Sequence, residues 1–119
     1  MEWIVRLDDE FEKEFDAMPP TVKDALLAVA RLLADYGPRL GSPHVDTLKG
    51  SKFANMKELR FSVDDGAWRV AFAFDPARHA MLLVAGDKSG ISQTRFYRRL
   101  IALADKRFAA HLARLPASR

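Results

Sequence analysis

The apolar residues of this chain change their spacing twice along its length. In residues 8–36, and again in residues 92–115, they recur every three or four positions, which predicts helices with one buried face. In residues 56–74 they alternate with polar residues, which predicts two strands that each bury one side. A chain with both periods packs helices against a sheet, and consecutive strands favour antiparallel pairing. The predicted class is therefore α+β.

The predicted order of elements is β-α-α-β-β-β-α. Residues 2–7 are rich in strand formers, and either of the two aspartates that follow can cap a helix. Pro19-Pro20 separates two helices, because proline ends one helix and is accepted in the first turn of the next. Gly37, followed by proline, ends the second helix. The two helices are therefore expected to form an N-terminal helical hairpin.

The middle of the chain predicts a meander of three strands. Residues 39–54 contain Gly, Pro, Ser, His and Lys without a period, which indicates a long loop. Asp64-Asp65-Gly66 is typical of a hairpin turn, and residues 80–85 are apolar on both faces, as expected inside a sheet. Residues 1–119 are thus expected to form one domain, in which a small twisted sheet packs against the hairpin and a C-terminal helix.

The composition excludes several kinds of site. Without cysteine the chain forms no disulfide, thiolate metal site or cysteine nucleophile. The histidines at positions 44, 79 and 111 lack metal-ligand spacing, and His79 is expected at the surface. No glycine-rich phosphate loop occurs, so we expect no cofactor and no metal. No apolar run approaches the ~20 residues of a membrane span and residues 1–6 lack a secretion signal, so we expect a cytoplasmic protein.

Positive charge is concentrated in the second part of the chain. Residues 1–40 carry five Lys/Arg against nine Asp/Glu, whereas residues 41–119 carry fourteen against seven. This asymmetry is compatible with a polyanionic partner such as nucleic acid, and equally with a solvated surface of scattered charge.

Arg60 and Arg69 occupy equivalent positions on neighbouring strands of the meander. Alternation places both on one face of the sheet, and guanidinium groups suit phosphate oxygens. Three lysines are expected to approach from the preceding loop and one from the end of the last strand: Lys49, Lys52, Lys57 and Lys88. In the alternative interpretation the charges are paired, and Arg60 neutralises Glu58 or an acidic residue of the first helix.

Short motifs spaced along nearly the whole chain form a series. They are Leu48-Lys49-Gly50, Met56-Lys57-Glu58-Leu59-Arg60-Phe61, Trp68-Arg69-Val70-Ala71-Phe72-Ala73-Phe74-Asp75, Gly86-Asp87-Lys88-Ser89-Gly90 and Phe96-Tyr97. This series resembles the RelE/ParE toxin superfamily, and within it the phage-derived, HigB-like branch. The resemblance implies the toxin of a type II toxin–antitoxin pair, which enters the ribosomal A site and cuts mRNA without a metal. The ribose 2′-hydroxyl then attacks the neighbouring phosphate.

The same resemblance implies roles for particular residues. Arg69 would stabilise the transition state. The other catalytic candidates, for phosphate contact, proton transfer or base stacking, are Lys57, Arg60, Lys88 and Tyr97. The candidates for binding the RNA backbone are Lys49, Lys52 and Arg95. Glu58 stands where some members have a further lysine, and it is either the base or the partner of Arg60. Whether Phe96 or Tyr97 faces the site is open.

The resemblance also implies partners and leaves other functions open. The partners are a helix-turn-helix, HigA-like antitoxin, bound in a hetero-oligomer, and the ribosome with its mRNA. ParE-type members share the fold but inhibit DNA gyrase without cleaving RNA, and a nuclease-inactive binding regulator is a third possibility. The nuclease hypothesis requires cations that converge on one exposed side of the sheet. Side chains that point apart, or that carboxylates lock internally, would argue against it.

Overall fold

The computed structural model describes residues 2–116 and has the predicted α+β architecture. Its elements are β1 Ile4–Leu7, α1 Asp9–Asp16, α2 Pro20–Tyr36, β2 Val45–Thr47, β3 Lys57–Val63, β4 Gly66–Phe74, β5 His79–Asp87 and α3 Gln93–Arg114, with a short 3₁₀ turn at Gly37–Arg39. The strand β2 lies inside residues 39–54, where only a loop was predicted, and that prediction was wrong. A strand of three residues is too short to show alternation in the sequence.

The five strands form one sheet in the order β1-β5-β4-β3-β2. β1 pairs with β5 in parallel, and the other neighbouring strands pair antiparallel. The turn between β3 and β4 consists of Asp64 and Asp65, which have φ values of 51° and 64°. Two consecutive positive φ angles are what a two-residue type I′ hairpin turn requires. This turn fixes a register in which Arg60 lies directly opposite Arg69.

Helices cover the sheet on both sides. The hairpin face, under α1 and α2, belongs to a hydrophobic cluster that includes Phe11 and Leu59. The α3 face, on the other side, belongs to a second cluster that includes Ala71 and Phe108. Residues directly opposite each other in an antiparallel pair share a face. The two clusters therefore identify the face on which each side chain of β3 and β4 lies.

A buried carboxylate ties the turn between β4 and β5 to the end of α3. Asp75 Oδ2 lies 3.1 Å from His79 Nδ1 and 2.7 Å from His111 Nε2, and Oδ1 accepts the backbone N–H groups of Ala77 and His79. The prediction of a surface position for His79 was wrong, because its side chain is only 17% exposed. Asp75, the carboxylate partner of His79, also binds His111 of α3, and this contact could not be predicted from the residues around His79.

We expect this carboxylate to make the fold less stable in acid. Burial acts to raise the pKa of Asp75, but hydrogen bonds from His111 and His79 outweigh burial and lower that pKa below 3.8. A carboxyl group with a lowered folded pKa stabilises the protein above its unfolded pKa, and this contribution disappears as the pH falls through the folded pKa. Urea unfolding between about pH 2 and pH 6 should show a smaller acid loss for Asp75→Asn than for the wild type. Parallel pH profiles would contradict this.

Candidate functional site

The candidate site lies where β3, β4 and the first turns of α3 meet. Arg60 and Arg69 are register partners, and both lie on the α3 face with Ala71, as alternation predicts. Glu58 lies on the same face two residues before Arg60, and Tyr97 reaches it from α3. These four side chains, Glu58, Arg60, Arg69 and Tyr97, are called the Glu58 cluster below.

Glu58 occupies the centre of this cluster, and its side chain is only 5% exposed. Its Oε2 accepts hydrogen bonds from Nε and Nη2 of Arg60 at 3.2 and 3.0 Å, and its Oε1 accepts the hydroxyl of Tyr97 at 2.7 Å. Nη2 of Arg60 also donates to Oδ2 of Asp46, on β2, at 3.1 Å. Both oxygens of the buried carboxylate are thus engaged by donors from β3 and α3.

Arg69 is held beside Glu58 without a hydrogen bond between them. Its Nη1 donates to the carbonyl of Trp68 at 2.9 Å, and its Nε lies 3.7 Å from Oε1 of Glu58, beyond hydrogen-bonding distance. Over residues 2–116, this Nε is the one buried side-chain nitrogen or oxygen that lacks a hydrogen-bond partner. Arg69 therefore contributes charge to the cluster and keeps one donor unused.

The surroundings shift the ionisation of two members of the cluster. Burial, followed by the hydrogen bond to Glu58 and its negative charge, raises the pKa of Tyr97, and Arg69 opposes this only in part. At Arg60, burial acts against the charged form, but the hydrogen bond and charge of Glu58, together with Asp46, outweigh it and raise the pKa. At neutral pH Arg60 is a cation and Tyr97 is a protonated hydroxyl.

The cluster decides two questions that the sequence left open. Arg60 does pair with Glu58, as the charge-pairing interpretation had it, and its second partner is Asp46 of β2 and not an acid of the first helix. Phe96 is 8% exposed and packs in the hydrophobic cluster of the α3 face, whereas Tyr97 turns its hydroxyl to Glu58. The central position of Glu58 was missed, although its two-residue spacing from Arg60 already placed both on one face.

The lysines nearest the cluster occupy different positions. Lys57 belongs to β3 and pairs with Phe72, which places it on the hairpin face, so the expectation that it approaches the arginines from a loop was wrong. Lys88 follows β5 two residues after Gly86, the register partner of Arg69, and its backbone N–H donates to the carbonyl of Ala67. The structure therefore brings Lys88 to the same end of the sheet as Arg69, and it separates Lys57 from both arginines.

Lys49 and Lys52 are exposed on a segment that α3 holds in place, called the basic loop here (residues 49–53). The buried carboxylate of Asp105 accepts the hydroxyl of Ser51 and, at 2.9 Å, the backbone N–H of Lys52. Phe53 packs edge-on against Phe108 of α3, with ring centroids 5.0 Å apart. The basic loop is therefore a fixed support for two cations, although its sequence has no regular pattern.

Removing the Asp105 carboxylate should loosen the basic loop. A hydrogen bond to a charged acceptor contributes about 1.5–3 kcal/mol, so Asp105→Ala should speed amide exchange at Lys52 by roughly 10- to 100-fold. Hydrogen exchange followed by NMR measures this directly, and Lys106→Ala, at the next and exposed position of α3, is the control. Equal exchange rates in Asp105→Ala and the control would contradict this role of Asp105.

Arg95 lies apart from the cluster. It lines a groove of about 330 Å³, beside Arg99 of α3 and the stretch Val84–Asp87 of β5. Residues two positions apart in an α-helix are separated by about 200° around its axis, so Arg95 and Tyr97 lie on opposite sides of α3. In the described range, no group of three or more His, Asp or Glu side chains is arranged to hold a metal ion, and no helix is long and apolar enough to cross a membrane.

The chemistry available in the Glu58 cluster is the binding and stabilisation of negative charge. Two guanidinium groups and a protonated phenol converge on one anion, and fixed donors of this kind stabilise charge that develops in a transition state. Three of the roughly four acceptor sites of Glu58 already receive hydrogen bonds, and its side chain is only 5% exposed, so little of the carboxylate is accessible to a proton from a substrate. The geometry therefore favours Glu58 as a counter-charge over the alternative of a general base.

Comparison with known sequences relates most of the chain to phage and bacterial proteins. The family described as Phage derived protein Gp49-like (DUF891) matches residues 13–109. The putative toxin HigB3 of Mycobacterium tuberculosis (strain ATCC 25618 / H37Rv) is 41% identical over 104 residues, which cover 87% of this chain and 89% of HigB3. The putative toxin HigB2 of the same organism is 47% identical over 91 residues, 76% of this chain. The chain spans only 45% of the length of HigB2.

The fold is also similar to that of a solved toxin structure. The free-state structure of a doubly substituted variant of the Escherichia coli toxin RelE superposes with a TM-score of 0.59 at 13% sequence identity. The match covers 86% of this chain and 96% of that chain. It extends the similarity from the sequence families above to the three-dimensional arrangement of helices and sheet.

Proposed function

The chain belongs to the Gp49-like family of phage-derived proteins, as a RelE-family toxin of the HigB-like branch, and from this premise we propose that it stops growth by cutting mRNA on the ribosome. The observation that carries the proposal is the Glu58 cluster, in which Arg60, Arg69 and Tyr97 converge at one point of the α3 face. Side chains of these types can hold a phosphodiester and stabilise the charge that builds up on it.

In the proposed reaction the ribose 2′-hydroxyl gives its proton to water, its oxygen bonds to the neighbouring phosphorus, and the bond from phosphorus to the 5′-oxygen breaks. The products are a 2′,3′-cyclic phosphate and a 5′-hydroxyl. Arg69, with its unused Nε, stabilises the additional negative charge on the phosphorane-like transition state. Tyr97, kept protonated by its raised pKa, donates a proton to the departing 5′-oxygen.

The proposed partners use other parts of the surface. Lys49 and Lys52, held by the basic loop, and Lys88 bind the backbone of mRNA or ribosomal RNA, and an electrostatic contribution of this kind weakens with salt. The antitoxin is a small helix-turn-helix, HigA-like protein that neutralises the toxin in a hetero-oligomer. Its expected contact is the acidic part of the chain, where α1 carries Asp9, Glu10 and Glu12 in its first turn.

One observation favours a second candidate function. Glu58 binds Arg60 and lies beside Arg69, which is only 13% exposed, and such internal pairing with a carboxylate argues against a nuclease. A ParE-like inhibitor of DNA gyrase needs no cations ready for a scissile phosphate. The two candidates predict different damage in the cell. An mRNA-cutting toxin fragments messages and stops translation, whereas a gyrase inhibitor induces the response to DNA damage and leaves messages intact.

Induction of the chain in bacteria, followed by mapping of message 5′ ends, tests the proposal. We expect new 5′-hydroxyl ends within translated regions in the minutes after induction, before growth stops. Growth arrest with intact messages and an induced DNA-damage response would replace the proposal with gyrase inhibition. If both effects are absent and the chain still binds nucleic acid or protein, the result would point to a regulator without nuclease activity.

A further inference from the structure

The buried carboxylate of Glu58 is not explained by a phosphate-binding function alone. A site for phosphate needs cationic donors, yet Glu58 already engages Arg60 and the hydroxyl of Tyr97 and lies beside Arg69. With its side chain 5% exposed, this carboxylate is held inside the site and is not a mobile surface group. The cluster therefore contains its own anion.

This arrangement is not the one that stability alone would favour. A buried ion pair contributes little net stability compared with apolar side chains of similar size. The cluster also leaves Nε of Arg69 without an acceptor, because Oε1 of Glu58, which accepts the Tyr97 hydroxyl at 2.7 Å, lies 3.7 Å from that Nε. A buried donor without a partner has a real cost in free energy. Arg69 thus holds a buried donor that gains an acceptor only when the cluster rearranges to place another oxygen beside it.

We propose that Glu58 is the internal counter-anion of the phosphate site: it holds the two arginines and the tyrosine hydroxyl in place until an RNA phosphodiester replaces it beside Arg69 and Tyr97. The inference rests on the proposed function in taking RNA as the source of the phosphate. Its first consequence concerns selectivity. A carboxylate a few ångströms from a phosphate repels it strongly in a partly buried site, so the cluster binds free phosphates weakly.

The second consequence concerns the ribosome. Phosphate that other contacts already hold in place, as on a message bound in the ribosome, reaches a high effective concentration beside Arg69 and displaces the carboxylate. The same phosphate free in solution does not. Glu58 thus allows the site to bind RNA that the ribosome has positioned, and it weakens the binding of free nucleotides and of RNA that is not positioned.

The test is the affinity of the isolated protein for inorganic phosphate in wild type and Glu58→Gln. The substitution keeps the size of the side chain and removes its charge, so we expect the dissociation constant for phosphate to fall by roughly tenfold. NMR of the arginine Nε–H groups, titrated at constant ionic strength, reports binding at the cluster itself. Asp46→Asn is the matched control, because it removes a 58%-exposed carboxylate from the same Arg60 and should change the constant by less than about twofold.

A Glu58→Gln protein that binds phosphate no more tightly than the wild type, or as little changed as Asp46→Asn, would overturn the inference. If Glu58→Gln does not fold because Arg69 loses its counter-charge and Arg60 keeps only the exposed Asp46, the comparison is made in an Arg60→Gln background. There the double variant Glu58→Gln/Arg60→Gln should bind phosphate more tightly than Arg60→Gln alone, and equal or weaker binding overturns the inference.

The inference and the proposed function fail in different ways. Unchanged phosphate affinity in Glu58→Gln, with mRNA cleavage still observed in the wild type, removes the counter-anion role and leaves the nuclease. Tighter phosphate binding in Glu58→Gln, with no mRNA cleavage by the wild type, establishes the counter-anion and removes the proposed source of the phosphate.

Discussion

Replacing Arg69 with alanine is expected to lower the rate of mRNA cleavage by roughly 10²–10³-fold, the usual effect of removing one well-placed donor to a transition-state anion. Arg69 is 13% exposed, lies beside Glu58 and carries the unused buried donor of the cluster. Its loss removes charge at the position where the proposed reaction forms a phosphorane-like transition state. In cells, induction of Arg69→Ala should no longer stop growth, although the variant still binds the antitoxin.

The control is Arg31→Ala. Arg31 lies on α2, away from the α3 face, and its ion pair with Asp35 is largely exposed, so this variant should remain fully toxic. Retained antitoxin binding by Arg69→Ala shows that the fold is intact. Growth arrest by Arg69→Ala at wild-type level would remove Arg69 from the mechanism.

The second large effect concerns stability and is expected at Arg107. This residue of α3 forms a bidentate pair with Glu14 of α1, through 2.9 and 2.6 Å hydrogen bonds, and donates to the carbonyl of Leu83 of β5 at 2.8 Å. Its Nε also lies 3.9 Å from the buried carboxylate of Asp8, the N-cap of α1. One guanidinium group thus joins a helix from each end of the chain to the central sheet.

Arg107→Ala should therefore reduce the free energy of unfolding by about 2–4 kcal/mol, less than for a fully buried pair because Glu14 is partly exposed. Urea denaturation at neutral pH measures the change. Arg114→Ala is the matched control, since Arg114 is 55% exposed and only approaches Asp8 at 3.9 Å, and it should cost less than about 1 kcal/mol. Equal reductions in the free energy of unfolding for the two variants would show that the contacts of Arg107 do not hold α1 and α3 together.

The sequence predicted those features that depend on local pattern. Alternation in residues 56–74 and the two-aspartate turn place Arg60 opposite Arg69, because the turn length fixes the register and the period of two fixes the face. The two ends of α2 were also predicted, because Pro20 opens its first turn and Gly37 follows its last residue. The Lys57 prediction was wrong for a related reason: the alternation that places Arg60 on the α3 face puts a residue three positions earlier on the opposite face.

Features that depend on the approach of α3 were not predictable from local pattern. Tyr97 lies 39 positions after Glu58, and Asp105 lies 53 positions after Lys52, so these hydrogen bonds form only when α3 packs on the sheet. Periodicity shows that α3 has a buried stripe, but not where each polar residue at its border meets the sheet. The counter-charge at Glu58 and the anchored basic loop are products of this packing.

The most direct test of the account is cleavage of mRNA by the purified protein on programmed ribosomes. Two messages are compared, one entirely ribose and one with a single 2′-deoxynucleotide at the mapped cleavage position. The account predicts that the all-ribose message is cut to a 2′,3′-cyclic phosphate and a 5′-hydroxyl, and that the 2′-deoxy message stays intact at that position. Equal cutting of both messages, or no cutting of either, would contradict it.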